Sequence, residues 1–419
     1  MHFLYNLGII ILAISIRLAS MRMPKAKKWI AGRRNWRNRY SNTIPPTNAK
    51  TLWMHVSSLG EFEQGRPVLE LFHKDFPDWR VILTFFSPSG YEIRKDYPLV
   101  DEVLYLPVDT PANARDFLEL IQPDAAIFVK YDFWANYLFE LKKRSIPTLL
   151  ISGLFRPSQP FFHWYGTFWR KIIHCFTHVF VQDENSKKLL QKIGFQRVSQ
   201  AGDTRVDRVL RLAAAVTRHP LVEAFVGKSP VIVAGSTWEA DEQVLLPILQ
   251  AVEFQHIKII VAPHEPSKRN VNRLINQTAG AVPYSQLTLE NAGHHRVLVI
   301  DNIGLLNSLY RYGSIAYIGG GFGKAIHNTL EPAAFGLPIL FGPKFEKFEE
   351  ARQFVALGGA FPIHNAHDII QVVGKLQVSE NYQKASHSVL SYLEASQGAS
   401  MKAIDWVKSQ FTPPYTYQY

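Results

Sequence analysis

From Thr51 onward the chain repeats one pattern: a short apolar run, a small polar loop, then an amphipathic stretch. LWMHV (52–56), RVILTFF (80–86), EVLYLPV (102–108), AAIFV (125–129), PTLLIS (147–152) and HVFVQ (178–182) read as strands, with helical patterns between them such as Pro67–Phe76 and Ala112–Leu120. Strands that alternate with helices build a parallel, doubly wound sheet. The pattern restarts at Pro230 with VIVA, then IKIIVAP (257–263) and Ile315–Ile318. A chain of 419 residues exceeds one ordinary core and suits two domains. The predicted fold class is α/β, with two Rossmann-like doubly wound domains at 51–210 and 230–400 and a helical linker at 211–229. Function in such sheets collects at the loops that follow strand C-terminal ends.

The densest of those loops lies within SIAYIGGGFGKAIHNTLEPAAFGLPILFGP (314–343). After the strand Ile315–Ile318 come Gly319, Gly320, Gly321 and Gly323, which permit positive φ and close approach of a ligand to the amides. A helix starting near 327–329 aims its N–H groups at that turn and makes an anion site, most simply for phosphate. Glu331 on its first turn suits a ribose diol, as an acidic residue does in dinucleotide-binding folds. A tight strand-to-helix connection with no ligand is the plainer alternative. Gly235, Ser236 and Thr237 form a second loop of the same kind, whose hydroxyls suit either phosphate or helix capping.

The net charge of +11 is unevenly placed. Residues 1–40 carry nine Lys and Arg and no acid, so the remaining 37 basic and 35 acidic residues leave only +2. A basic nucleic-acid groove across the body is therefore excluded. Cys175 is the only cysteine, so no intrachain disulfide forms, and the absence of any CxxC or Cys/His cluster speaks against structural zinc. Phe3–Ile16 is apolar except for Asn6 and Ser15. About 16 helical residues rise ~24 Å against a hydrocarbon core of ~30 Å, which is short for a span. The charge follows the apolar run, against the order in a cleaved signal peptide. Residues 1–20 are expected to anchor the chain to the cytoplasmic face of the membrane, spanning or half-inserted, with a basic juxtamembrane segment and linker at 21–50. Trp29 and Trp36 suit the headgroup region.

In the first domain the loop Ser57-Ser58-Leu59-Gly60-Glu61-Phe62-Glu63 follows the first strand. Glu61 fits either a helix-dipole role or a base for a sugar hydroxyl, and Glu63 is its neighbour and rival. Ser87-Pro88-Ser89-Gly90 follows the second strand, and Lys130-Tyr131-Asp132-Phe133-Trp134-Ala135-Asn136 the fourth. PFFHWYGTF (160–168), near Arg156, Arg170 and Lys171, is either aromatic core or a surface facing membrane or acyl chains.

Taken in order, these motifs resemble the 3-deoxy-D-manno-octulosonic acid (Kdo) transferases, bacterial glycosyltransferases of the two-domain GT-B architecture. SSLGEF is similar to the SVGEF-type motif that carries the presumed general base, and KYDFWAN to E-T-E-L-W-P-N, with Lys130 in place of one acid. GDTRVD (202–207) resembles G-N-x-K-x-D, and DNIGLLNSLY (301–310) resembles D-T-M-G-E-L-x-x-L-Y. APHEP stands where the family has P-R-H-P-E, keeping His264 and losing the arginine, and GGGF followed by HN-x-LEPAAFG-x-P completes the set. The resemblance covers roughly residues 50–400 and implies transfer of Kdo from CMP-Kdo to the glucosamine disaccharide of a lipid A precursor at the inner membrane, with two domains facing a cleft. It implies Glu61 as base, with Asp132 assisting. Ser58, Gly60, Ser87, Ser89 and Lys130 are then expected on the acceptor side. On the nucleotide side stand Ser236, Thr237, His264, Ile303, Gly304, Gly320, Gly321, Gly323, Asn328 and Glu331. No cofactor, metal or nucleic acid is implied, and the C-terminal helix and tail at 401–419 return to the first domain as in many GT-B proteins. The alternatives are another membrane-associated GT-B sugar-nucleotide enzyme, or a non-catalytic nucleotide- or lipid-binding protein on this fold.

Overall fold

The apolar runs pair side by side. In a computed structural model that describes residues 1–411, they form two sheets of seven strands each, parallel throughout. The first sheet contains β1 (Thr51–Val56), β2 (Arg80–Phe85), β3 (Glu102–Tyr105), β4 (Ala125–Val129), β5 (Thr148–Gly153), β6 (His178–Val181) and β7 (Val198–Gln200), in the order β3-β2-β1-β4-β5-β6-β7. The second contains β8 (Val231–Thr237), β9 (Lys258–Pro263), β10 (Ala281–Pro283), β11 (Val297–Val299), β12 (Ile315–Ile318), β13 (Ile339–Phe341) and β14 (Ala360–Pro362), in the order β10-β11-β9-β8-β12-β13-β14. The first order reverses between β1 and β4, and the second reverses at its centre between β8 and β12, with β11 set between β10 and β9 at its edge. Such switch points are where α/β sheets bind ligands.

The chain divides into two compact units. Unit 1 holds Met1–Asp207 together with residues 396–411, and unit 2 holds Arg208–Ala395; the tail after residue 411 lies outside the described residues. In unit 1, β1 alternates across its sheet. Leu52, Met54 and Val56 join Val68, Phe72, Ile404 and Val407 on one face, and Trp53 joins Phe117, Phe128 and Trp36 on the other. Burying side chains of this size contributes roughly 1.5–3 kcal/mol each. The helix Ala399–Phe411 belongs to the first of these layers. Asp207 holds its start, accepting from the amides of Gly398 at 2.5 Å and Ser400 at 2.7 Å.

Element boundaries depart from the sequence reading where capping decides them. The helix expected from Pro67 begins at Leu59 and runs to Asp75, because Ser58 caps it and places Pro67 in its interior. The linker at 211–229 is two helices, Thr204–Ala214 and Pro220–Val226. The juxtamembrane reading of 21–50 needs correction. Helices Pro24–Arg33 and Trp36–Thr43 pack onto unit 1, and Trp29, Trp36, Tyr40 and Ile44 are all buried. Trp29 and Trp36 therefore face protein and not lipid headgroups.

Arg33 is buried among them. Its Nε donates to the carbonyl of Leu106 at 2.7 Å, Nη2 to that of Phe86 at 2.7 Å and Nη1 to that of Trp29 at 3.2 Å. Its guanidinium lies 3.9 Å from the Trp29 ring centre. Burial pulls its pKa down to about 9, still well above neutrality. A residue read from sequence as part of the basic juxtamembrane segment is a buried clip between the N-terminal helices and the C-terminal ends of β2 and β3.

Candidate functional site

The loops after β1, β2 and β4 meet at the switch point of unit 1. Ser58 caps the helix Leu59–Asp75, accepting from the Gly60 amide at 3.2 Å. Its hydroxyl in turn donates to Glu61. The run Ser58-Leu59-Gly60-Glu61 thus has the spacing of a capping box, and it fixes the half-exposed carboxylate at the helix start. Glu63 points to other partners, pairing with Arg94 at 2.9 Å and Arg66 at 3.9 Å. Ser87 caps the next helix, Pro88–Arg94, and its oxygen lies 2.9 Å from that of Ser89. The two loops are drawn together at Gly90, where a Cβ would stand 3.0 Å from the Leu59 amide and 2.3 Å from the Phe85 ring.

Asp132 lies behind this surface, 4 % exposed. Ser57 donates to its Oδ1, while Oδ2 has no hydrogen-bond partner among the described residues. Burial pushes the Asp132 carboxyl well above the usual range, and the charge of Glu61 pushes it the same way. This placement suits orientation of the Ser57–Glu61 loop better than contact with substrate. Lys130 adopts φ +62°, a left-handed conformation rare outside glycine. Its ammonium lies 5.3 Å from the Tyr131 ring centre. Burial alone would raise Asp203, but the Arg205 guanidinium at 2.6 Å, with Lys130 adding to it, holds its carboxyl below the usual range. Strain of this kind recurs at Ser152 and Ser236, φ +52° and +53°, also at strand ends.

Beneath Asp132 is an array that sequence reasoning missed. The Trp134 indole donates to His55 Nε2 at 2.8 Å, and an indole N–H can only donate, so the His55 proton sits on Nδ1 and is given to Thr84 Oγ1 at 2.8 Å. The Trp53 indole donates to the same oxygen at 2.9 Å. Burial, aided by Arg33, pulls His55 down to about 3, so it is neutral. Its pKa is lower folded than the ordinary 6.5. The unfolded chain therefore binds the extra proton, and the contribution of His55 is complete above pH 6.5 and lost as pH falls toward 3. Asp132, raised by burial, and Asp109, raised by burial to about 6, act in the opposite direction. The difference between two proteins isolates the histidine. His55→Gln keeps one donor and one acceptor, so its melting temperature is expected to fall less than that of wild type between pH 6.5 and 4. Equal falls would show that His55 does not carry this acid sensitivity.

In unit 2, the glycines serve the fold before any ligand. A Cβ on Gly319 would lie 2.2 Å from the Ser236 carbonyl oxygen, and one on Gly321 would lie 2.6 Å from Gly342 Cα, so the loop packs backbone against backbone. Gly320, at φ +92°, donates to Asp241 at 2.9 Å. Asp241 also accepts from the Trp238 amide at 2.9 Å and the Tyr317 hydroxyl at 3.1 Å, which ties β8 to β12 at their switch point. Gly320 and Gly321 are buried, and Gly323 is the open end of the loop. The helix expected near 327–329 is one turn, Leu330–Ala333, ended by Gly336 at φ +68°, so its dipole is small. Asn328 shapes that turn, accepting from the Leu330 amide at 3.1 Å and donating to Glu331 at 3.0 Å.

Thr237 is buried and gives its hydroxyl to Glu242 at 2.8 Å, while Ser236 remains half-exposed. Trp238, His264 and His327 form a stack beside the glycine loop, with ring centres 4.7 and 4.4 Å apart. Trp238 was not anticipated; its indole donates to His327 Nε2 at 3.2 Å. Burial, then His264, lowers the His327 pKa. Ile303 is 89 % exposed beside Gly304 at φ +102°. Loop positions of this kind carry no periodicity, and Asp241 reads as an ordinary first-turn acid.

Two doubly wound units with polar loops at each switch point define a two-domain, GT-B-like protein. The fold is shared with a UDP-GlcNAc 2-epimerase from Neisseria meningitidis bound to UDP-GlcNAc, at TM-score 0.59, 18 % identity and coverage of 86 % of this chain and 100 % of that one. It is shared also with a glycosyltransferase from Rickettsia africae, at TM-score 0.53, 12 % identity and coverage of 88 % and 100 %. Residues 34–208 match the family model of the 3-deoxy-D-manno-octulosonic-acid transferases (kdotransferases). The 3-deoxy-D-manno-octulosonic acid transferase of Haemophilus influenzae is 25 % identical over 413 residues, 94 % of each chain. That of Aquifex aeolicus is 25 % identical over 331 residues, 78 % of this chain and 85 % of the relative. The chain is thus similar to the Kdo transferases over most of its length, and that similarity supports a glycosyltransferase of this family.

Proposed function

We propose that the protein transfers Kdo from CMP-Kdo to the glucosamine disaccharide of a lipid A precursor in lipopolysaccharide biosynthesis. The observation that carries this reading is Glu61, a half-exposed carboxylate held by Ser58 at the switch point of unit 1, within the segment matched by the family. Glu61 takes the proton of the acceptor hydroxyl as its oxygen attacks the anomeric carbon of Kdo. The bond from that carbon to the CMP phosphate breaks, and CMP leaves with the electron pair. One displacement inverts the anomeric centre. Asp132 acts as a positioning residue through Ser57, and Ser58, Gly60, Ser87, Ser89 and Lys130 border the acceptor.

Unit 2 binds CMP. Glu331, oriented by Asn328, takes the ribose, and Ser236, Ile303 and Gly304 lie on neighbouring loops. Gly320, Gly321 and Thr237 shape the nucleotide loop, while Gly323 and the imidazoles of His264 and His327 face the phosphate. The deciding assay supplies freshly generated CMP-Kdo and a tetraacylated lipid A precursor and follows product mass. Addition of one or more Kdo increments supports the reading. Binding of UDP in preference to CMP, with no Kdo transfer, would replace it with another sugar-nucleotide chemistry.

The apolar helix His2–Ala19 is the one helix among the described residues long and apolar enough to cross a membrane. Its first turns are nonetheless docked by polar contacts. His2 lies 2.9 Å from Asn136 Oδ1, Asn136 donates to Asn6 at 2.9 Å, and Tyr5 donates to Asp109 at 2.5 Å. Polar groups bonded to unit 1 favour a helix lying in the membrane interface over one that spans it. Ile10, Ile11 and Ile14 are exposed, and so is Trp164, at 90 %, in the 160–168 aromatic stretch whose Phe161 and Phe168 are buried. The membrane at issue is the inner membrane, met from its cytoplasmic face. Flotation with anionic phospholipid vesicles is expected to carry wild type, and Ile10→Asp with Ile14→Asp is expected to remain largely unbound. Undiminished flotation of that variant would place the membrane contact elsewhere.

A further inference from the structure

Unit 2 holds a cavity of about 400 Å³ walled in part by Glu242, Arg273, Gln277, Thr278 and Arg296. The volume lies in the range of small-molecule sites. Arg296 stands immediately before β11, at the N-terminal edge of the sheet, whereas the glycine loop follows the C-terminal end of β12. In a parallel sheet these are opposite edges.

Buried polar atoms nearly always have partners. Three in this wall have none among the described residues: Arg273 Nε, Arg296 Nε and Thr278 Oγ1. Thr278 is only 6 % exposed. All three donate hydrogen bonds, and the two guanidinium nitrogens can do nothing else.

The charges in the wall do not cancel. Glu242 is matched by Arg273, with Nη2 2.5 Å from Oε2, and its other oxygen accepts the Thr237 hydroxyl. Arg296 spends Nη1 and Nη2 on the backbone carbonyls of Leu249 and Phe254, both at 3.1 Å. Those acceptors are neutral, so one positive charge in the wall has no carboxylate against it among the described residues. Unspent donors around an uncompensated guanidinium match an anionic oxygen group.

We infer that this cavity is a binding site for a phosphate-type oxyanion, free or as a phosphomonoester, held by Arg296, Arg273 and Thr278. The site is distinct from the glycine loop, and Glu242 joins its wall to Thr237.

The test is calorimetric titration of the full-length, detergent-solubilised protein with inorganic phosphate and, separately, glycerol phosphate, at ionic strength held constant with chloride. Saturable one-to-one binding is expected, weakened at least tenfold in Thr278→Val and in Arg296→Gln. Thr278→Val preserves shape, so it reports on the site even if Arg296→Gln fails to fold. Binding of phosphate alone identifies the free ion as occupant, and binding of both probes identifies a phosphomonoester site. No saturable binding of either probe, or binding undiminished in Thr278→Val, overturns the inference.

Discussion

Glu61→Gln is expected to lower the rate of Kdo transfer by roughly 10²–10⁴-fold, the usual loss when a positioned base is removed. CMP binding should be unchanged, because the nucleotide loops belong to unit 2. The substitution is a clean probe. Glutamine keeps the shape of the side chain and an oxygen to accept from the Ser58 hydroxyl, so the helix Leu59–Asp75 retains its cap. What it removes is proton affinity. Glu63 is the obvious substitute base, but its carboxylate is already paired with Arg94 and Arg66. Rate and CMP affinity measured side by side decide the matter. A rate within a few fold of wild type would reduce Glu61 to the capping role that its geometry also supports.

Arg33→Met is expected to destabilise the protein by about 2–4 kcal/mol, the scale of leaving several buried acceptors without a donor. The carbonyls of Leu106, Phe86 and Trp29 would each lose a donor. A buried acceptor left without a partner costs about 1–3 kcal/mol. Methionine fills much of the same space between Trp29 and Phe86, so the loss reads the hydrogen bonds more than a cavity. Arg33→Lys should rescue little, because one ammonium cannot span carbonyls that a planar fork reaches from separate nitrogens. Urea denaturation provides the measurement. A change below about 1 kcal/mol would mean that the N-terminal helices pack on unit 1 independently of this clip.

The two predictions mark the edge of what local sequence conveys. Glu61 was legible because its neighbours in the chain are also its neighbours in space: Ser58 and Glu61 are one helical turn apart, and the loop follows an obvious strand. Arg33 was not. Its context, nine basic residues within the first 40, looks like a membrane-facing segment, and its partners at Phe86 and Leu106 are more than fifty residues away. Trp29 and Trp36 misled in the same way, since an aromatic beside a charge is compatible with either a headgroup region or a core. The His55, Thr84, Trp134 array joins three strand-end segments, and a histidine within an apolar strand announces none of them.

The alternating apolar runs by themselves determined the α/β class, two domains and the loops on which polar residues would gather. Their period is local, and burial of such strands on both faces admits few other solutions. The ordered motifs added the resemblance to the Kdo transferases. Strand order, and with it the switch points between β1 and β4 and between β8 and β12, was decided only by tertiary pairing. So was the use of the glycines. Gly319 and Gly321 stand where backbone meets backbone, and Gly320 is fixed by Asp241, a residue 79 positions away. Chemistry that depends on contacts between neighbours in the chain can be read from a sequence. Chemistry that depends on which distant loops meet is set by how the sheets close.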